Sequence, residues 1–188
     1  MAGSKTTAEV LSGAPNVAGY VFSAAIASTA PTDAATALDA AFINLGYIDD
    51  SGITIKQGST ITEIRDWNGD LVAALDDEVS ASITMTLMQT GVSTMKEIYG
   101  DANVTVGVEV PTPLLKSVGF TGDPLPHKKY VWEMKNSRGL GRLLAEDGRI
   151  TEVGDIKVVK KGVITYPVTV TLFRAPSGKF FERFFSWS

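Results

Sequence analysis

Residues 79–88, VSASITMTLM, alternate without interruption. Val79, Ala81, Ile83, Met85 and Leu87 fall on one side, and Ser80, Ser82, Thr84 and Thr86 on the other. Successive side chains of a strand point to opposite faces, so the run predicts a β-strand with one apolar face. The apolar face needs a second layer to cover it. The other face is polar yet carries no charge.

Further segments read the same way. Residues 17–27 (VAGYVFSAAIA), 52–57, 103–110, 130–135 and 163–173 predict strands, the last with Ile164, Tyr166, Val168, Val170 and Leu172 on one face. Pro167 has no N–H to give a ladder, which suggests an edge strand or a bulge there. DDSG at 49–52, NSRGLG at 136–141 and PSG at 176–178 read as turns, and Asp147-Gly148 as a hairpin. FINLGYI at 42–48 is a further apolar piece. Residues 28–42 allow a short helical turn capped by Asp33 or an extended arm. TMKEIY at 94–99 is the one clear helix, with Thr94 and Glu97 spaced as a capping box and Gly100 as its C-cap. Residues 111–126 hold four prolines and two glycines and read as a long connection. The pattern is mainly β, with one short helix between two groups of strands.

A chain of 188 residues, 44% hydrophobic and 20% charged, supports a globular domain with a real core. No apolar run approaches the about 18–20 residues that span a bilayer, and the N-terminus lacks the apolar stretch of a secretory signal. With no cysteine there is no disulfide frame and no thiolate chemistry. Charge is divided along the chain. Residues 1–127 hold 5 Lys/Arg against 15 Asp/Glu, a net of −10, and residues 128–188 hold 12 against 6, a net of +6. Mixed on one surface these charges mean little. Sorted onto two faces, they would favour head-to-tail pairing of identical copies.

Catalytic signatures are weak. The one histidine, His127, lies in the Pro-rich connection without a nucleophile elbow and reads as a solvated loop residue. One histidine and no cysteine exclude a standard zinc site. Asp66-Trp67-Asn68-Gly69-Asp70 begins like a calcium loop, but Leu75 stands where the bidentate Glu belongs, so a hydrogen-bonded turn is the better reading. Gly139-Leu140-Gly141 lacks the third glycine of a dinucleotide motif, and Gly178-Lys179 lacks the rest of a phosphate loop. Glu133 and Glu146 form a carboxylate pair only on paper. Lys128-Lys129 and Lys160-Lys161 read as solvated strand ends or as partners for a neighbouring copy. No cofactor is expected.

Leu45-Gly46-Tyr47-Ile48, Asp50-Ser51-Gly52-Ile53-Thr54, Ile64-Arg65-Asp66-Trp67-Asn68-Gly69-Asp70 and the 79–88 strand together resemble the major tail tube proteins of long-tailed, non-contractile bacteriophages. The later order of helix, strand, Pro-rich excursion, 139–153 hairpin region and 163–173 strand agrees, so the resemblance runs over residues 17–175. It implies two packed antiparallel sheets, a β-sandwich or barrel-like tail tube fold, with a flanking α-helix and long loops. It also implies six-membered rings whose inner strands merge into one barrel, stacked into a channel for DNA ejection. Implied partners are further copies, a tape measure protein, a tail terminator, and DNA passing without specific binding. The implied setting is the virion, after assembly in the host cytoplasm, with no membrane. The chain is then one tail-tube domain over 1–188, with an N-terminal arm at 1–16 and an aromatic segment at 176–188.

The residues fit that picture in three ways. Closure across subunits removes exposed strand edges. Duplex DNA carries about one negative charge per 1.7 Å, so a bore needs walls that do not grip phosphate; Ser80, Ser82, Thr84 and Thr86 suit such a wall. Residues 49–78, with eight acidic groups against Lys56 and Arg65, would repel DNA. The 66–77 stretch reads as a loop reaching a neighbour, with Arg65, Asp66, Trp67, Asp70, Asp76 and Asp77 as contacts. The alternative is that Trp67 covers its own core. The tail aromatics Phe180, Phe181, Phe184, Phe185 and Trp187 occupy both faces of a strand, and ring contact is expected at Phe181, Phe184 and Trp187. Two other readings compete: a monomeric immunoglobulin-like binding or decoration module, and a hydrolase using Glu133 or Glu146.

Overall fold

The apolar stripes found by alternation are buried from Ala81 to Leu87 and from Tyr166 to Leu172, while Val79 is exposed and Ile164 only partly buried. The computed structural model describes residues 13–14, 20–107, 114–136 and 139–187. Among these described residues ten strands run in chain order: β1 (Val21–Ala25), β2 (Ile43–Asn44), β3 (Ile48–Arg65), β4 (Leu71–Leu87), β5 (Val104–Val106), β6 (Leu115–Val118), β7 (Lys128–Asn136), β8 (Gly139–Val153), β9 (Tyr166–Leu172) and β10 (Glu182–Trp187). One helix, α1 (Val92–Tyr99), and a 3-10 turn (Asp101–Asn103) separate β4 from β5. β4 buries Ala81, Ile83, Met85 and Leu87; β9 buries Tyr166, Val168, Val170 and Leu172.

Eight strands form one antiparallel sheet in the order β2-β1-β7-β8-β9-β4-β3, with β10 also on β8; β5 and β6 form a small second sheet. The long strand β8 organises the whole. Its first half lies between β7 and β10, and its second half runs beside β9. The sheet therefore curls over itself into two layers. Trp132 of β7 donates its indole N–H to the Met85 sulfur of β4 at 3.3 Å. Two strands, β8 and β9, lie between them in the sheet order, so only facing layers bring them together. Val21, Tyr130, Trp132, Leu143 and Ala145 pack from one layer against Ile83, Met85, Val168, Val170 and Leu172 from the other, and α1 adds Met95 and Ile98. Each fully buried side chain of this size contributes about 1.5–3 kcal/mol. The fold is mainly β with one flanking helix, as expected, and its two packed layers are halves of one curled sheet, with β5-β6 as a small second sheet.

The outer face of the first layer has its own cover. Ala24, Phe42, Val131 and Leu144 cluster with Phe22, Leu38 and Phe184. Buried Arg142 fastens the 28–42 segment there, donating to the carbonyls of Asp33 (2.7 Å) and Thr36 (2.9 Å) and, through Nε, to Glu133 (3.0 Å). Asp33 does cap a turn, accepting from the N–H groups of Ala35 and Thr36. No helix follows it.

Several local expectations are corrected. The 49–52 turn is a bulge inside β3, where Asp49 accepts from the Ser51 N–H and the pairing register shifts. Asp147-Gly148 is not a hairpin: β8 passes straight through it. Gly148 sits where a Cβ would lie 3.0 Å from Tyr130 and 3.1 Å from Val170, so the glycine there serves close packing. Pro167 is in an interior strand, between β4 and β8, one residue inside its start. The Pro-rich connection hides β6, which pairs with β5. The capping box is not formed. Gly91 is the N-cap without a side-chain bond, and the Thr94 hydroxyl instead donates to the Leu45 carbonyl at 2.9 Å. Gly100 does end the helix, at φ 88°. The 1–16 arm, apart from Gly13 and Ala14, and the middle of the 136–141 turn lie outside the described residues.

Candidate assembly surfaces

The segment expected as a 66–77 loop is the tip and returning strand of a long hairpin. β3 and β4 pair from Ile48/Leu87 out to Arg65/Leu71. β9 accompanies β4 only over Ala81–Leu87. Residues 57–80 therefore project as a two-stranded arm, eight residue steps or roughly 25 Å long. The turn is tight and polar. Gly69 N–H donates to Asp66 O, Asn68 and Asp70 N–H groups donate to the Asp66 carboxylate, and the Arg65 guanidinium reaches Gly69 O at 3.0 Å. Gly69 adopts φ 90°, which its lack of a Cβ permits. Arg65 also pairs with Glu63 at 2.6 Å. Trp67 is fully exposed at the tip and covers no part of its own core. Asp70 is exposed beside it, and Asp76 and Asp77 lie on the returning strand. Ile61, Ile64, Leu71, Val72, Leu75 and Val79 are also exposed along the arm.

Ser80, Ser82, Thr84 and Thr86 lie on the outward face of β4, opposite the core residues. Register extends that face across the layer. Ser82 stands beside Thr171, and Thr84 between Thr54 and Thr169. Thr151 of β8 shares a 2.7 Å hydrogen bond with Thr171. The two central strands of this face carry hydroxyls, and charge enters at the flanks. Lys56 stands beside Ser82, Arg149 beside Thr171, and Glu152 beside Thr169. Sequence reasoning missed Thr54, Thr151, Thr169 and Thr171. The signal was present in TYPVTVTL, where threonines alternate with the apolar stripe of β9.

The aromatic C-terminus splits as a strand should. Phe184 faces outward into the Phe42 cluster, and Phe181 packs against the main core. Phe185 and Trp187 stack at 6.0 Å, half-exposed, on the inner side. They line the mouth of a cleft of about 1100 Å³, with Tyr20, Tyr47, Ile53, Trp132 and Met134. The expected contacts Phe181, Phe184 and Trp187 are thus brought to three different surroundings.

The charged candidates are engaged within the chain. Glu97 is buried on α1 and accepts from Ser23 (2.7 Å), Lys128 (2.8 Å) and Tyr130 (2.6 Å). Burial, then the Glu97 charge, holds the Tyr130 phenol well above its ordinary pKa. Lys129 donates to Ser28 O. His127 is not simply solvated: its Nδ1 lies 2.6 Å from Asp147 and its ring lies on Phe173. Glu133 is bonded to Arg142, which ties one half of the imagined carboxylate pair to a structural role. Among the described residues no group of three or more His, Asp or Glu is placed to hold a metal, and no helix is long and apolar enough to cross a membrane.

A family model described as "Phage tail tube protein" matches residues 8–187. Among curated proteins nothing matches this chain. Among solved structures, a chain of a native gene transfer agent virion is similar at 14% identity and TM-score 0.40, covering 80% of this chain and 92% of that one. A chain of an extracellular contractile injection system, solved as a sheath-tube complex in the extended state, is similar at 9% identity and TM-score 0.44, covering 98% and 100%.

Proposed function

Because the chain belongs to the phage tail tube protein family, we propose that it is the subunit of a tail tube whose bore is lined by the hydroxyl face of β3, β4, β9 and β8. Copies join into rings of six, rings stack, and DNA passes through the channel during ejection. The tail is of the long, non-contractile kind, with a tape measure protein inside the tube and a terminator at its end. Assembly takes place in the host cytoplasm, and the finished protein is a virion component. The chain carries out no catalytic step and needs no cofactor.

The observation that carries this reading is the hydroxyl face itself, next to an open edge. Phosphate is held by lysine and arginine contacts, each adding to a salt-dependent affinity. The Ser and Thr of the central strands β4 and β9 stay wet without adding such contacts, and Lys56 and Arg149 stand only at the flanks. Among the described residues β3, eighteen residues long, is the outermost strand of the sheet, and no other strand pairs along its far side. An edge of that length invites pairing with another strand, and a neighbouring copy satisfies it while extending the hydroxyl face round a ring. On this reading Phe181, Phe184 and Trp187 meet neighbouring copies through the surface they leave uncovered, and Arg65, Asp66, Trp67, Asp70, Asp76 and Asp77 belong to the arm that reaches a neighbour.

Concentrated purified protein, sized by chromatography and imaged in negative stain, tests the reading. Rings or hollow filaments are expected. A particle that stays monomeric at every concentration overturns it and favours a monovalent binding module.

A further inference from the structure

We propose that the acidic hairpin arm of one copy docks on the basic loop at 154–163 of a second copy, in a head-to-tail contact. This inference rests on the tube reading and names the surface that receives the arm.

Register places the two elements at opposite ends of the same strands. The arm leaves the body where β4 and β9 end their pairing, at Ala81/Leu172. The 154–163 loop follows Val153, which pairs with Val168, and leads into Tyr166, which pairs with Leu87 at the far end. Six residue steps, roughly 20 Å, separate those ends. The arm points away from its own loop and cannot fold back onto it. A second copy displaced along the strand direction brings its loop to the arm.

The two surfaces are complementary in charge and alike in apolar content. Residues 57–80 hold six acidic groups against Arg65, a net of −5; residues 154–163 hold Lys157, Lys160 and Lys161 against Asp155, a net of +2. All three lysines are exposed, and none has an ion-pair partner among the described residues. Val158 and Val159 stand exposed between them and Val163 just after, as Leu71, Val72 and Leu75 do on the arm. Contact buries both apolar strips, while opposite charges set orientation and reject the like-charged alternative of arm on arm. A contact between two different patches is heterologous and repeats from copy to copy.

The cysteine-free chain makes the test direct. A Leu71→Cys/Val159→Cys double variant is mildly oxidised at assembling concentration and run on a denaturing, non-reducing gel. A covalent ladder beyond dimer is expected, with each single variant stopping at dimer. In parallel, Lys157→Glu/Lys160→Glu/Lys161→Glu should cut pelletable tubes at least tenfold, and Glu63→Lys/Asp70→Lys/Glu78→Lys on the arm should restore them. Wild-type-like tubes with no ladder overturn this contact and leave the tube reading standing. Unassembled wild-type protein overturns both. Should the lysine variant misfold by circular dichroism, the ladder decides alone, since its two sites are exposed.

Discussion

Glu97 shows how one residue can be legible in type and misread in role. Its spacing from Thr94 suits a capping box, a local pattern. The structure uses it for a long-range contact, tying α1 to β1 and β7 through Ser23, Lys128 and Tyr130. No sequence period reports a partner 31–74 residues away. Glu97→Ala strands these donors, and removing one member of a buried charged set costs about 3 kcal/mol; urea denaturation should read a loss of that size. The same network gives an alkaline signature. Tyr130 keeps its proton in the folded chain above the pH, about 10, at which an unfolded tyrosine loses it. The unfolded state then binds fewer protons, so stability must fall as pH rises through that range. Tyr130→Phe should lessen this alkaline slope in denaturation measured between pH 9 and 11.

At the scale of elements, strands with one buried face were plain and strands without one were not. β4 beyond Ala81 and β9 alternate because a core selects one face. The arm has no core beneath it, so 71–77 shows no period and reads as loop. The continuity of β8 through Asp147-Gly148 is hidden for a different reason. Asp-Gly signals a turn locally, but Gly148 is chosen for the space under Tyr130, Val170 and Leu172. Gly148→Val should cost about 1–3 kcal/mol through overpacking, seen as a lower denaturation midpoint with an unchanged slope. Trp67→Ala makes the opposite prediction. With no contact to its own core, the monomer should keep its stability to within about 0.5 kcal/mol. Tube yield should fall sharply in negative stain, because a rigid aromatic at an arm tip contributes only when it meets another surface. Unchanged tubes would remove Trp67 from the assembly.

At the scale of the whole molecule, the hydroxyl face exists only because the strands pair in this register. The sequence offers serines and threonines on separate strands; pairing puts Thr54, Thr84 and Thr169 in one row and Ser82 beside Thr171 in the next. If copies extend those rows round a bore, one substitution is repeated in every subunit and its effect multiplies. Thr84→Lys sets an ammonium at the centre of the face, between neighbours that carry no charge. The site is exposed, so folding and tube length should match wild type in electron micrographs. Transit should not match. Each new phosphate contact adds to the hold on the duplex, and each about 1.4 kcal/mol on the barrier slows passage tenfold. Phage carrying Thr84→Lys should therefore show at least about a tenfold lower infectious titre per particle, partly recovered at higher ionic strength, where phosphate contacts weaken. Thr84→Ser, which keeps the hydroxyl, should infect normally. Equal titres for Lys and Ser variants at low salt would place the bore on some other face of the subunit.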